Sequence, residues 1–326
     1  NFKEGSYGLY KLEHADAKLY DGDPIVIKGT DYKDTNMNIK KYATYEGEDN
    51  VVFLSNASAE QEEKDSEITG DELDFEIIET DPAYVTYEIS IPETAMYEIY
   101  FKFYPIEGRG TDIERGFMID EEYPFNECEY ITFSRVWADA ARVGSFTDAV
   151  GNEIHPKIIE KPEWRIEYLD NNQSYYSDAF RFHLEQGTHE IKIISLKEPM
   201  LLSEICFVVQ DPLPTYEEIK QLYEENGYKE TSGQTVIVEA EDTYRKSSSS
   251  IYPYYSRVSS MTTAVSGKFT YDHTQVNVIG GYFWKEPGSW MSWNITVPES
   301  GLYKISLRGR QNTTRGLDSG RILTIN

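Results

Sequence analysis

Cysteine is scarce in this sequence, and its two cysteines cannot define a disulfide framework. Cys128 and Cys206 are the only two among 326 residues, and they lie too far apart in the chain for a typical metal cluster. Long apolar runs are also missing, since no stretch approaches the roughly 18 consecutive apolar residues of a membrane helix. No signal peptide is present, so we expect the chain to start inside a mature protein or without its leader.

Positive charge is in short supply as well. Lysine and arginine number 31 against 57 aspartates and glutamates, which gives a formal net charge of −26 at pH 7. Such an acidic chain would repel the phosphates of nucleic acid and an anionic membrane surface, which argues against both as partners. Aromatic residues, in contrast, make up 14%, with 26 tyrosines and 5 tryptophans. This much aromatic surface predicts folded cores rather than a disordered acidic chain.

Short apolar or alternating runs, broken by Gly, Pro, Asn and Asp, recur along the chain. These candidate strands are Pro24–Ile27, Tyr84–Ile91, Met96–Phe103, Glu190–Ser195, Ile205–Val209, Thr235–Val238, Trp290–Val297 and Leu302–Leu307. Many short strands with turn signals between them predict an all-β chain, and a β-sandwich rather than an α/β fold.

Two segments have helical character instead. Thr215 and Glu218 have the spacing of a capping box, and Gly227 stands where the helix would end. A weaker candidate of similar character covers Ser6–Leu19. Because proline interrupts strands and often precedes the start of a helix, Pro212 and Pro214 mark the main predicted domain boundary.

An internal repeat is the most informative feature of the sequence. Residues 89–119 align without gaps onto residues 295–325, and ten of the 31 positions are identical. A shared hairpin explains the first five identities, whereas the shared Arg-Gly-x-Asp-x-x-Arg run that begins at Arg109 and Arg315 extends the match. The repeat therefore predicts two duplicated modules.

The repeat also sets the expected domain plan. We predict an N-terminal helical segment at 1–23, a first β-sandwich module at 24–211, a linker helix at 212–232 and part of a second module at 233–326. The second copy stops at Asn326, where the first copy continues through the rest of its module. We therefore expect the second module to be incomplete here and the native chain to run on.

Several sequence blocks resemble known modules. Trp290-x-x-Trp293-x-Ile-x-Val-Pro298-Glu-x-Gly301-x-Tyr303-x-Ile305 and the earlier Val236-Ile-Val-Glu239-Ala-Glu241 resemble carbohydrate-binding modules of families 6 and 35. A resemblance over nearly the whole chain, to the tandem modules of large extracellular solute-binding proteins of Gram-positive ABC sugar importers, rests on further blocks. They include Phe133-Ser-Arg-Val-Trp137, Gly151-Asn-Glu-Ile154, Glu198-Pro-Met200 and Arg310-Gln-Asn312.

This resemblance implies jelly-roll β-sandwiches that capture an oligosaccharide or polysaccharide. It also implies secretion, importer components as partners, and attachment to the cell surface of a Gram-positive bacterium through a tether outside this chain.

The module families hold a structural calcium ion with the two acids of their opening Glu-x-Glu and an acid of the last strand. Glu239 and Glu241 match the opening pair, and carboxylates at i and i+2 on one strand face suit a hard cation. The corresponding residues of the first copy are Lys28, Thr30 and Ser203. The resemblance therefore implies calcium in the second module only, with solvated edge charges as the alternative for the two glutamates.

A sugar site needs flat aromatic faces against pyranose C–H groups, flanked by polar groups for the hydroxyls. The candidate ligand-binding residues are Trp137, Trp164, Tyr175 and Tyr176 in the first module and Tyr282 and Trp284 in the second. Each is equally a candidate for the core, since aromatic side chains are highly buried on average.

Signals of catalysis are poor. The five histidines show no metal-ligand spacing, and neither a nucleophile elbow nor a phosphate-binding glycine loop occurs. We therefore predict non-catalytic carbohydrate binding and no enzyme. Two alternatives stay open, namely structural spacers or protein-docking modules without sugar binding, and accessory modules of a glycoside hydrolase. Fully buried tryptophans would favour the spacer, and an exposed aromatic pair would favour binding.

Overall fold

The computed structural model describes residues 17–67, 81–140, 147–170, 178–231, 233–255, 273–274, 276–309 and 319–325. The chain divides into two compact units. Unit 1 comprises Asn1–Trp137, Ile159–Asp211 and Glu286–Trp290, and unit 2 comprises Ala138–Ile158, Pro212–Lys285 and Met291–Asn326. Among the described residues, no helix is long and apolar enough to span a membrane.

Strands dominate the secondary structure. In chain order they are β1 (Ile25–Lys28), β2 (Asp34–Thr35), β3 (Lys40–Tyr45), β4 (Glu48–Leu54), β5 (Ala83–Ile91), β6 (Ala95–Tyr104), β7 (Ile113–Ile119), β8 (Ile131–Phe133), β9 (Trp137–Asp139), β10 (Ile158–Glu160), β11 (Arg165–Tyr168), β12 (Arg181–Leu184), β13 (Gly187–Lys197), β14 (Met200–Val208), β15 (Arg245–Lys246) and β16 (Met291–Ser292). Helix α1 spans Ala59–Glu67, helix α2 spans Tyr216–Glu225, and short 3-10 turns occupy Asn126–Glu129 and Gly281–Phe283. The predicted all-β class is confirmed.

Unit 1 is a sandwich of two antiparallel sheets. The seven-stranded sheet has the order β11-β6-β14-β4-β3, with β1 also paired to β14 and β12 to β6. The five-stranded sheet has the order β2-β5-β13-β7-β8. From β4 to β7 and again from β12 to β14, the chain passes back and forth between the two sheets, as it does in jelly rolls. The predicted jelly-roll sandwich is therefore confirmed in unit 1.

Alternation along β6 shows how the core of unit 1 forms. Successive side chains of a strand point to opposite faces, and every second residue of β6 is buried. The buried set is Ala95, Tyr97, Ile99, Phe101 and Phe103. Between the two sheets, Phe101 stacks on Phe133 with ring centroids 5.3 Å apart and meets Phe117 edge-on at 6.0 Å. Each buried phenylalanine stabilises the sandwich by about 1.5–3 kcal/mol.

A buried ionic cluster stabilises the loop that follows β6. Arg135 is fully buried, and its guanidinium donates to the carboxylates of Glu160 and, at 2.6 Å, Glu198. Glu198 also accepts from the backbone N–H of Arg109 at 2.8 Å and from the hydroxyl of Thr111 at 2.9 Å. Burial alone would raise the pKa of Glu198, but these donors and the nearby Arg135 charge hold it below its usual value.

In unit 2, helix α2 begins and ends where the sequence predicts. The Thr215 hydroxyl accepts from the backbone N–H of Glu218 at 3.3 Å, and the Glu218 carboxylate accepts from the backbone N–H of Thr215 at 2.6 Å. Gly227, with φ of 67°, adopts the left-handed conformation just beyond the helix end. This helix prediction is confirmed, whereas the one at Ser6–Leu19 lies almost wholly outside the described residues.

Several strands predicted in the second module are wrong. Thr235–Val238 and Leu302–Leu307 form no strand, and only Met291–Ser292 within Trp290–Val297 does so. A strand requires a neighbour that pairs with its backbone groups. In the described part of unit 2, the backbone pairing of these runs is limited to the short ladder between β15 and β16 and an isolated bridge at Leu302.

Candidate functional site

The outer face of the seven-stranded sheet carries a row of aromatic side chains. On β6 the residues that alternate with the core set include Tyr100, Lys102 and Tyr104. Strand β11 pairs with β6 so that Ile166 lies opposite Lys102 and Tyr168 opposite Tyr100. Trp164, two residues before Ile166, continues this row beside Tyr104. The term outer aromatic patch refers below to Tyr42, Tyr45, Tyr100, Tyr104, Trp164, Ile166 and Tyr168.

Ring contacts fix one end of the outer aromatic patch. Tyr104 meets Trp164 edge-on with ring centroids 5.4 Å apart, and it meets Tyr45 in the same way at the same distance. Tyr45 in turn contacts Tyr42 at 5.5 Å. The indole Nε1–H of Trp164 donates to the backbone carbonyl of Tyr45 at 3.2 Å. All four rings are half-buried, so each keeps part of its surface accessible while its orientation is fixed.

The other end of the patch is a second aromatic pair. Tyr100 and Tyr168 meet edge-on with ring centroids 5.3 Å apart. Because Tyr100 and Tyr104 are four residues apart on one strand, the two ends are separated by about 13 Å. Between them, Ile166 is 54% exposed and lies opposite Lys102, so the middle of the patch combines an apolar and a charged side chain.

Charged groups border the aromatic surface. The Lys102 ammonium lies 2.7 Å from the Glu48 carboxylate, and the Tyr100 hydroxyl donates to Glu204 at 3.1 Å. Burial raises the pKa of Tyr104, so its hydroxyl stays protonated at physiological pH. The patch therefore combines aromatic surface with a cation, carboxylate acceptors and phenol donors.

On β11, Arg165 and Glu167 alternate with Ile166 and Tyr168 and so point to the opposite face of the strand. The Arg165 guanidinium packs over the Trp290 ring at 4.4 Å and pairs with the Glu167 carboxylate at 3.2 Å. Burial raises the pKa of Glu167 even though Arg165 opposes that shift. By the same alternation, Trp164, Ile166 and Tyr168 lie on the outer side.

The structure places the predicted aromatic residues of the first module in different surroundings. Trp164 belongs to the outer aromatic patch. Trp137 does not, because it begins β9 and its ring packs against Gly110, where an added Cβ would lie 3.3 Å from the indole. Tyr175 and Tyr176 lie outside the described residues. The structure thus brings together one of the four predicted residues with aromatics that were not predicted.

The predicted aromatics of the second module, Tyr282 and Trp284, flank Phe283 in a short 3-10 turn and its cap. Tyr282 is 75% exposed, and Trp284 is half-buried. A cation packs over a face of each ring, Lys285 at 4.5 Å from the Tyr282 centroid and Arg321 at 4.3 Å from the Trp284 centroid. One stacking face of each aromatic is therefore covered by the chain itself, which weakens this pair as a sugar platform.

The predicted calcium ligands lie in a part of unit 2 that forms no strand. Glu241 is buried and Glu239 is half-buried. Calcium takes six to eight oxygen ligands, but across the described residues no group of three or more His, Cys, Asp or Glu side chains is placed to hold a metal ion. The two glutamates alone do not fit a complete calcium shell, and a calcium site there stays a prediction.

Positions of the first module that align with the calcium ligands do meet in space. The backbone N–H of Gly29, between Lys28 and Thr30, donates to the carbonyl of Ser203 at 2.6 Å. Strand pairing also places Lys28 opposite Glu204. A lysine and a serine stand here in place of acids, and the described residues of unit 1 contain no group of three or more metal-ligating side chains.

Sequence reasoning missed the five tyrosines of the patch. Strand β6 was predicted, and its alternation already separates Tyr100 and Tyr104 from the core residues. The sequence gives no signal for the pairing of β6 with β11, a strand about sixty residues later. That pairing brings Trp164 beside Tyr104. Among 26 tyrosines, a single alternating pair does not stand out.

Comparison with known proteins gave matches among solved structures only. A scan against protein-family models found no match, and neither did a search of the curated proteins. A family 35 carbohydrate-binding module from Clostridium thermocellum is 8% identical, with a TM-score of 0.32, and the match covers 58% of this chain and 100% of the module.

Two further structures are similar in the same way. The C-terminal family 6 module of a laminarinase from Zobellia galactanivorans is 12% identical over 57% of this chain and 100% of the module, with a TM-score of 0.28. The Podospora anserina family 26 β-(1,4)-mannanase with its family 35 module is 12% identical over 63% of this chain, with a TM-score of 0.32. This match spans only 35% of the mannanase chain. At such TM-scores and identities, the likeness does not assign a function to this chain.

Proposed function

We propose that this chain binds carbohydrate without catalysis and that the outer aromatic patch of unit 1 is its binding surface. The observation that carries the proposal is the Trp164–Tyr104 pair, half-exposed and fixed in orientation by the bond from the Trp164 Nε1–H to the Tyr45 carbonyl. Rings held in place before binding lose little conformational entropy when a ligand arrives. Aromatic surface of this kind suits the C–H groups of a pyranose.

Polar groups beside the rings would contact the sugar hydroxyls. Glu48 and Glu204 are acceptors, while Lys102 and the phenol of Tyr104 are donors. Both carboxylates are already engaged, Glu48 by Lys102 and Glu204 by the Tyr100 hydroxyl. That arrangement suits the orientation of a neutral ligand more than acid–base chemistry, which needs a carboxylate poised to exchange its proton.

The length of the patch indicates the size of the ligand. Two aromatic pairs separated by about 13 Å along β6 would contact successive residues of a chain, whereas one sugar would reach only one pair. We therefore propose an oligosaccharide or polysaccharide as the partner.

At the finer level, the proposed setting is an extracellular solute-binding protein of a Gram-positive ABC sugar importer, attached to the cell surface. Its modules would raise the local concentration of the glycan near the importer. The sequence blocks at Phe133–Trp137 and Gly151–Ile154 support this setting. Accessory modules of a glycoside hydrolase would use the same binding surface.

A protein-docking role is the second candidate, and one observation favours it. Ile166 is 54% exposed beside the aromatic rings, and exposed apolar and aromatic side chains grouped together are typical of protein interfaces.

A glycan-array screen of the chain and of Trp164→Ala, each with and without calcium, tests the proposal. We expect binding of the parent chain to a group of related glycans and a loss of at least tenfold in apparent affinity for Trp164→Ala, about 1.4 kcal/mol. Equal binding by the two proteins would show that the binding site lies outside the patch. A blank screen from a folded protein would leave the spacer or docking role.

A further inference from the structure

The loop between β6 and β7 consists of residues 105–112, which directly follow Tyr104 of the outer aromatic patch. It is called the β6–β7 loop below. Its first turn is tight, since the N–H of Ile106 donates back to the Tyr104 carbonyl at 3.0 Å. Most residues of the loop are exposed, among them Glu107 and Arg109. The loop therefore displays charged side chains within a few residues of an aromatic ring of the patch.

Buried charges hold the backbone of the β6–β7 loop. Arg135 is fully buried, and its guanidinium donates to the carbonyls of Ile106 at 2.6 Å and Thr111 at 2.5 Å. Glu198 accepts from the backbone N–H of Arg109 at 2.8 Å and from the Thr111 hydroxyl at 2.9 Å. The two ends and the middle of the loop are therefore bonded to one ion pair inside unit 1.

The same arginine connects the β6–β7 loop to the segment that carries Trp164. The Arg135 guanidinium also binds the carboxylate of Glu160, which lies four residues before Trp164. Tyr104, which precedes the loop, contacts the Trp164 ring at 5.4 Å. The loop therefore lies at the Tyr104–Trp164 end of the outer aromatic patch.

Close packing leaves room for glycine alone at two positions of the loop. A Cβ at Gly108 would overlap the Glu198 carboxylate and the Arg135 guanidinium. Gly110 has φ of 80°, a conformation that favours glycine, and a Cβ there would lie 3.3 Å from the Trp137 ring. Trp137 lies outside the patch, but it supports the loop. These contacts fix the conformation of the loop before any ligand binds.

This degree of fixation exceeds what a simple connection between two strands requires. Surface loops are usually more mobile than the elements they connect, whereas this one is bonded to a buried arginine and a buried carboxylate. Burial of charges is costly even when they are paired. Glu198 also has φ of 60°, and non-glycine residues in such conformations cluster at functional sites. The β6–β7 loop is therefore a candidate for ligand contact.

The exposed side chains of the loop include both donors and acceptors of hydrogen bonds. Arg109 is a donor, and its guanidinium forms no ion pair within the part of the chain that the structure describes. Glu107 is an acceptor. With Glu107 and Asp112 against one arginine, the loop has no excess of positive charge to attract an acidic sugar. The hydroxyls of a neutral sugar both donate and accept, so they match this set.

We infer that the β6–β7 loop belongs to the binding surface and that Arg109 is a specificity-determining residue within it. Its ligand is a neutral sugar residue next to the one that stacks on the Trp164–Tyr104 pair. The Arg109 guanidinium donates to neighbouring hydroxyl oxygens of this sugar, and the Glu107 carboxylate accepts from a hydroxyl. The inference rests on the proposed carbohydrate binding. Because the backbone of the loop is already fixed, little conformational entropy is lost there on binding.

Calorimetry with the best glycan from the array tests the inference on the parent chain, Arg109→Ala and Lys33→Ala. Lys33 is an exposed lysine next to β2 in the other sheet, so its variant loses the same charge away from the loop. We expect Arg109→Ala to bind about five- to tenfold more weakly and Lys33→Ala to bind like the parent chain. The urea midpoint of Arg109→Ala should be unchanged, because the Arg109 side chain is exposed.

Ligand length separates contact with an additional sugar from a general effect on the site. The difference between the parent chain and Arg109→Ala should disappear for a glycan too short to extend beyond the aromatic rings. An equal loss for long and short glycans would overturn the inference. A carboxylate-bearing analogue tests the ligand class. If it binds the parent chain more tightly than the neutral glycan does, and Arg109→Ala abolishes that preference, the neutral ligand is wrong.

Trp164→Ala separates this inference from the proposed function. Weaker binding by Trp164→Ala together with parental binding by Arg109→Ala would overturn the role of the loop and leave the outer aromatic patch as the binding surface. A parent chain that is folded and binds no glycan would overturn both the proposed function and the inference.

Discussion

The indole N–H of Trp164 donates to the backbone carbonyl of Tyr45, 119 residues earlier in the chain. This bond connects the turn between β3 and β4 to the segment that leads into β11, and Tyr104 contacts both aromatic rings. Three segments that are distant in sequence therefore meet at one surface. The proposed sugar-binding role depends on this arrangement being rigid before the ligand binds.

Replacement of Trp164 by phenylalanine separates ring surface from ring orientation. Trp164→Phe keeps an aromatic ring but removes the Nε1–H donor and its hydrogen bond. Such a bond contributes a net stabilisation of about 0.5–1.5 kcal/mol. We expect glycan affinity to fall about three- to tenfold, less than for Trp164→Ala, as measured by isothermal titration calorimetry. An affinity as low as that of Trp164→Ala would assign the whole effect to the indole itself.

Loss of the buried cluster around Arg135 should destabilise unit 1 strongly. Arg135→Met leaves the buried Glu198 carboxylate without its cation, which costs about 3–5 kcal/mol for buried pairs of this kind. Urea unfolding measures the loss, and Glu198→Gln gives a milder second variant if Arg135→Met does not fold. The control is Lys33→Met, which breaks an exposed pair with Glu88 and should leave the urea midpoint nearly unchanged. Equal midpoints for the Arg135 and Lys33 variants would contradict the role of the cluster.

Stability should also depend on pH through His189 and Asp120, whose side chains lie 2.6 Å apart. Burial would lower the pKa of His189, but the bonds to Asp120 and to the carbonyl of Glu185 raise it above 6.5. Burial likewise opposes ionisation of Asp120, but the N–H of Glu190 and the His189 ring bring its pKa below 3.8. The histidine contribution is complete below pH 6.5 and is lost as the pH rises through the raised pKa. The aspartate contribution is present above pH 3.8 and is lost as the pH falls through the lowered pKa.

The pair is therefore expected to stabilise the fold most between pH 3.8 and 6.5. Urea midpoints at pH 5.5 and 8.5 measure the effect, and the difference between the two pH values should be smaller in His189→Asn than in the parent chain. Asp120→Asn should reduce it in the same way. A difference that His189→Asn leaves intact would assign the pH dependence to other groups.

The sequence predicted local features well and long-range pairing poorly. The capping box of α2 and the alternation of β6 depend on residues close together in the chain, and both are present. The pairing of β6 with β11 joins distant segments, so Trp164 was predicted as a ligand residue without its partner Tyr104. Apolar runs such as Thr235–Val238 consist of residues that favour strands, but such residues form a strand only beside a paired neighbour. The buried ionic cluster around Arg135 corresponds to no periodic pattern in the sequence.

The most direct test of carbohydrate binding at the outer aromatic patch compares two tyrosine variants against the best glycan from the array. Tyr104→Ala removes the ring that contacts both Trp164 and Tyr45, whereas Tyr130→Ala removes a 68% exposed tyrosine elsewhere in unit 1. By calorimetry we expect at least tenfold weaker binding for Tyr104→Ala and unchanged binding for Tyr130→Ala, with both proteins folded by circular dichroism. Equal affinities for the two variants and the parent chain would contradict the assignment of sugar binding to this surface.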